Sequence, residues 1–131
     1  MNKEFIPYEQ ALELKQLGFN EQCLAYYKFG NMLHFEYVVP TNQLVVAPLY
    51  QQAFAWFREK HNMIIGIDFK THDKNGYFYS ISWQKWANGE EPPVLVWHHL
   101  NSWLGANEPL SSYEEAELAC LKKLIEIVKN K

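Results

Sequence analysis

Apolar residues recur along this chain at two spacings, and the order in which the spacings alternate gives a succession of helices and strands. In FIPYEQALELKQLGFN, Tyr8, Ala11, Leu12, Leu14 and Leu17 repeat at helical spacing, and Pro7 suits the first helical position. Gly18 should end that helix, since a left-handed residue there sets Phe19 against Leu14 in a Schellman stop. PLYQQAFAWFREKHN predicts a second helix, opened by Pro48, striped by Tyr50, Ala53, Phe54 and Phe57 with Trp56 beside them, and closed by Asn62 in the left-handed region. SSYEEAELACLKKLIEIVKNK predicts a third. Ser112 and Glu115 have capping-box spacing, Glu114, Glu115 and Glu117 sit at the positive end of the helix dipole, and Lys122, Lys123 and Lys129 lie toward its negative end. Its apolar face, Tyr113, Ala116, Cys120, Leu121, Leu124, Ile125 and Val128, widened by Leu118 and Ile127, is broad enough to lie across a sheet.

Between these helices the period falls to two. CLAYYKF and MLHFEYVV flank Gly30-Asn31, which as a two-residue loop predicts a hairpin with Leu33, Phe35, Tyr37 and Val39 on one face with Leu24 and Tyr26, and with His34, Glu36 and Tyr27 on the other. LVV adds a short strand before Pro48. MIIGIDFK and GYFYSISWQ form a second hairpin around THDKN, setting Ile65, Ile67 and Phe69 with Tyr77, Tyr79, Ile81 and Trp83 on a buried face and Asp68, Ser80 and Ser82 outward. PVLVWHHL supplies a further strand, joined through ANGEEP, because a structureless loop from Trp86 to Ser111 would be too long for a compact domain. These elements predict one α+β domain over residues 1–131: an antiparallel sheet of about five strands in hairpins with three helices, in the order α-ββ-α-βββ-α, the helices packed mainly on one face.

Composition narrows the setting. The two cysteines, Cys23 and Cys120, lie in apolar contexts without partner spacing, no charged-then-apolar leader opens the chain, and no apolar run reaches the ~20 residues of a membrane span. A reducing, cytoplasmic setting is expected. The formal charge of −3 lacks the basic footprint that draws a protein to duplex nucleic acid or an anionic membrane. Aromatic residues make up 16% of the chain, an excess that suits a β-rich core first and a binding face second.

The densest functional-looking stretch is VWHHLNSW, and with Trp86 it gives the candidate ligand- or partner-binding residues Trp86, Trp97, His98, His99 and Trp103. Adjacent histidines on a strand point to opposite faces, so His98 and His99 cannot share one metal on regular backbone. The blander reading gives one imidazole a core-side hydrogen bond and leaves the other in solvent. His72 and Asp73 in THDKNG lack the ligand count of a calcium loop and read as turn-formers, and Glu90 and Glu91 read as loop charges. Arg58, Lys60 and His61 beside Trp56 could stack a single strand, but the dipole at a helix C-terminus favours cations without any ligand. Cys23 and Cys120 read as inert packing. The chain carries no nucleophile elbow, P-loop, dinucleotide fingerprint or CxxC pair, so no catalytic residue, metal ligand or cofactor is assigned.

The stretches EFIPYEQALELKQLGF, APLYQQAFAWFREK and YEEAELACLKKLIEIVK resemble a group of small proteins of Bacteroidota genomes, their prophages and mobile elements, to which no activity is attached. The likeness covers the three helices and leaves the sheet region 62–110 outside it. It implies a cytoplasmic accessory protein of phage or mobile-element origin, and it transfers no active residue. Aromatic excess without a catalytic grouping thus points to a non-enzymatic module that binds a protein partner or a second copy of itself. The competing expectation is capture of a small, nucleotide-like ligand by Trp86, Trp97, His98 and Trp103.

Overall fold

The computed structural model describes residues 2–70, 76–86, 95–102 and 109–130. The class is α+β, with three α-helices and two separate three-stranded antiparallel sheets among the described residues. The order is α-βββ-α-βββ-α, so the single sheet of about five strands in the order α-ββ-α-βββ-α is corrected on both counts. The physical reason lies in the first half: its three strands are only two or three residues long, and β3 stops against Pro48, which has no N–H to extend a ladder. The contacts divide the chain into two compact units, residues 1–56 and 57–131.

In the first unit, α1 (Tyr8–Gln16) begins one residue after Pro7, which is its N-cap. It ends as a Schellman motif: Gly18 is left-handed at φ +103°, the Phe19 N–H reaches the Leu14 carbonyl at 3.0 Å, and the Gly18 N–H reaches that of Lys15 at 3.1 Å. β1 (Tyr26–Lys28) is the central strand, flanked by β2 (Met32–His34) and β3 (Val45–Val46). Phe5, Ala25 and Ala47 form a buried cluster with Tyr27, Leu33 and Leu49 packed on it, and the Tyr27 hydroxyl donates to the Ile6 carbonyl at 2.5 Å.

The first hairpin departs from its predicted register. Tyr26 pairs with His34, Tyr27 with Leu33 and Lys28 with Met32, so the loop is the three residues 29–31. Phe29 and Gly30 both take positive φ, +52° and +79°. One added loop residue reverses the parity of the strands. Tyr27 and Leu33 therefore face the core, and Tyr26 stacks on His34 on the opposite face with ring centroids 5.5 Å apart. Leu24, Phe35, Tyr37 and Val39, expected in the core, are exposed.

Helix α2 (Tyr50–His61) follows, stopped by Asn62 at φ +53° as its sequence predicts. In the second unit, β4 (Ile64–Lys70), β5 (Gly76–Trp86) and β6 (Leu95–Asn101) lie side by side in sequence order. The register is the one that alternation dictates: Ile65 opposite Ile81, Ile67 opposite Tyr79 and Phe69 opposite Tyr77. β6 continues that layer with Leu100 opposite Ile81. Tyr77 exchanges both backbone bonds with Leu110, and a Cβ at Gly76 would overlap that of Pro109, so only glycine fits there.

Helix α3 (Tyr113–Lys129) packs mainly on β5, burying Ala116, Cys120, Leu121, Leu124 and Ile125. Its cap differs in detail from a capping box. The Ser112 hydroxyl accepts from the Glu115 N–H at 3.2 Å, but the Glu115 carboxylate accepts from the N–H and hydroxyl of Ser111 rather than from Ser112. Those bonds hold the Glu115 carboxyl below its usual pKa. Glu117 is the one acidic side chain on the buried stripe among the described residues, and burial, then the neighbouring Glu114, raises its pKa.

Two measurements follow from this packing. Leu124→Ala should cost about 3 kcal/mol in urea unfolding and Ser112→Ala about 1 kcal/mol, while exposed Lys122→Ala should stay within about 0.5 kcal/mol of wild type. Glu117 binds its proton more tightly in the folded than in the unfolded chain, so its ionisation weakens the fold as pH rises through the raised value. Glu117→Gln should therefore stabilise the protein at pH 7, and the gain should vanish by about pH 3, below the ordinary glutamate pKa, where wild-type Glu117 is protonated in both states.

Candidate functional site

Strand alternation disperses the VWHHLNSW cluster. His98 lies opposite Trp83, and the two rings stack with centroids 5.5 Å apart and planes 17° from parallel. That is the face of β5 that also carries Ile81. His99 and Trp97 project from the other face, where His99 lies opposite Ser82 and Trp97 opposite Gln84. The Ser82 hydroxyl and His99 Nδ1 are 2.7 Å apart, which fixes the ring and leaves Nε2 outward. Trp103 and the side chain of Trp86 lie outside the described residues, as do His72, Asp73, Glu90 and Glu91. Of the five candidate residues, then, the structure brings Trp97 and His99 onto one face and sends His98 to the opposite one.

That face, turned away from the Ile81 layer, also carries exposed Ile64 and Asp68 together with Ser80. A serine hydroxyl on an imidazole is the first half of a nucleophile–base pair, but among the described residues no second group orients His99 from its far side, as a triad would require. The geometry is that of a cross-strand hydrogen bond beside a partly exposed indole. It can stack a flat ligand or meet a protein. Among the described residues no group of three or more His, Cys, Asp or Glu side chains is placed to hold a metal ion.

In the first unit a shallow cavity of about 250 Å³ lies between Lys15, Phe19, Asn20, Asn42, Leu44 and Val46. Lys15 Nζ donates to the carbonyls of Asn42 at 2.8 Å and Leu44 at 2.9 Å, so the ammonium clamps the 42–44 backbone to the end of α1. Its charge is thereby spent largely on the fold.

The most conspicuous surface was missed by alternation alone. Leu24, Phe29, Met32, Phe35, Tyr37 and Val39 are each between 54% and 80% exposed, and all lie within the first hairpin and its flanks. The isolated bridge between Cys23 and Val38 sets Leu24 beside Tyr37, whose hydroxyl donates to Gln22 Oε1. The available signal was that MLHFEYVV and CLAYYKF are apolar on both faces, more than one small core can take.

Neither cysteine is poised for chemistry. Both are free and buried. Burial pushes the Cys120 thiol up to about 12, helped by Glu117, and burial likewise pushes Cys23 up to about 12, with Glu21 adding to the rise and a Gln52 contact opposing it. Thiolate is thus scarce at neutral pH. A thiol reagent such as Ellman's should label neither cysteine of the native protein at pH 8 and both in denaturant; rapid native labelling would contradict the placement.

Comparison of the chain with protein-family models, with curated proteins and with solved structures finds no match.

Proposed function

We propose that this protein is a non-enzymatic binding module that engages a protein partner, a second copy of itself included, through the apolar side chains that residues 24–39 leave in solvent. One observation carries the reading: six large apolar side chains more than half exposed within one short hairpin and its flanks. Fully burying a side chain of this kind is worth roughly 1.5–3 kcal/mol. At their exposures the six together forfeit roughly 5–10 kcal/mol, comparable with the whole stability of a domain. A chain selected only to fold would carry polar residues there, and apolar patches of this extent on soluble domains mark interaction sites.

The second reading, capture of a nucleotide-like ligand, draws on Trp97 and His99, an indole and a fixed imidazole sharing one face. It is the weaker of the two, because His98 is directed to the opposite face and the pair is left with one indole and one imidazole.

A photo-crosslinking residue at position 37, compared with one at exposed position 122 on α3, separates the outcomes in the producing cell. Position 37 should give discrete protein adducts and position 122 none. Absence of adducts from position 37, together with a melting temperature raised by a nucleotide and restored to baseline by Trp97→Ala, would replace the first reading by the second.

A further inference from the structure

We infer that the apolar hairpin is a self-docking face: two copies of this chain join edge to edge through antiparallel β2 strands, with Phe29 of each as the anchor. This rests on the reading of residues 24–39 as an interaction surface and names the occupant.

The edge itself comes first. β2 has β1 on one side and no strand on the other among the described residues. An open edge presents unpaired N–H and C=O groups that template a further strand, and natural edges are commonly blunted by lysine or proline. Met32-Leu33-His34 carries neither.

The area allows a second copy. The six side chains flank the β2 edge on both of its faces, and large side chains of this kind bring roughly 150–250 Å² each when aromatic, so the edge and its flanks reach the order of the ~800 Å² that each partner contributes to an interface of standard size. A two-fold contact uses the same patch on both sides, so one set of residues supplies both halves.

The charge fits as well. A two-fold axis presents every charge to its own copy, so a self-docking face has to be neutral or self-complementary. Between residues 22 and 39 the only Lys, Arg, Asp or Glu residues are Lys28 and Glu36, both exposed, although the chain as a whole carries −3. In an antiparallel β2–β2 pair, Glu36 of one copy runs past the 28–31 turn of the other, and the opposite charges meet twice across the axis.

Phe29 is the residue that folding does not account for. Its φ of +52° is costly for a bulky side chain, and it is 80% exposed. Lys28 Nζ, 5.5 Å from the ring centroid, steadies the ring. A pre-positioned aromatic at the tip of a hairpin is the kind of side chain on which interfaces concentrate their binding energy.

The test is sedimentation equilibrium of the full chain from micromolar to millimolar concentration. Wild type is compared with Phe29→Asn and Met32→Lys, and with Lys122→Ala, exposed on α3, as control. Wild type and Lys122→Ala should form a reversible dimer, and both hairpin variants should associate at least tenfold more weakly. Phe29→Asn should unfold at an equal or higher urea concentration, because Asn tolerates the left-handed region. Amide exchange at residues 32–35 should slow as wild-type concentration rises. A chain that stays monomeric at millimolar concentration overturns the inference, while adducts from position 37 with a different protein would leave the wider reading standing. A dimer that survives both hairpin variants overturns the inference too, by locating the contact elsewhere.

Discussion

Removal of the α3 stripe from water is the interaction on which the second unit depends. Leu121 and Leu124 are fully buried and Ile125 nearly so, and the helix that carries them packs mainly on the central strand, β5, whose Ile81 is also fully buried. A three-stranded sheet without such a cover would expose one whole apolar layer and would be marginal in water. Once Ile65, Ile67, Tyr79, Ile81 and Leu100 are committed to one side, alternation assigns every other residue of the three strands. The side taken by Trp97 and the pairing of His99 with Ser82 follow from that choice, and Phe78, on that same side, is itself buried.

What was legible in the sequence was what is decided locally or by period. Gly18, Asn62 and Ser112 each end or begin a helix through their own backbone or side-chain chemistry, and each does so in the structure. The β4–β5 register was legible because three apolar residues at period two admit one alignment. The divergence of His98 and His99 was legible for the same reason. Two features were not. The number of sheets is a non-local property, since a short strand pairs with whatever its loops allow, and Val45–Val46 joins β1 without reaching the second sheet. The parity of the first hairpin turned on whether Phe29 belongs to a strand or to the loop, and a positive φ at phenylalanine is the choice that propensity ranks last. One residue in the loop then turned Tyr27 inward in place of Tyr26 and left Leu24 in solvent, while Phe35, Tyr37 and Val39 lie beyond the end of β2, where strand alternation no longer places them in the core.

Both thiols are protonated and enclosed, Lys15 is engaged by backbone carbonyls, and the Ser82–His99 pair lacks an orienting third group among the described residues. These polar groups are held in structural roles, whereas six large apolar side chains of residues 24–39 face outward.

The fit of Gly76 against Pro109 couples two parts of the second unit more tightly than their separation in sequence suggests. Pro109 leads through Leu110, which is bonded to Tyr77, directly into the Ser111–Ser112 cap of α3. A single methyl group at position 76 would push on that corner and shift the origin from which the helix is laid down, carrying every side chain of the stripe out of step with the strand beneath it. The missing side chain thus acts as the datum from which helix and sheet are aligned.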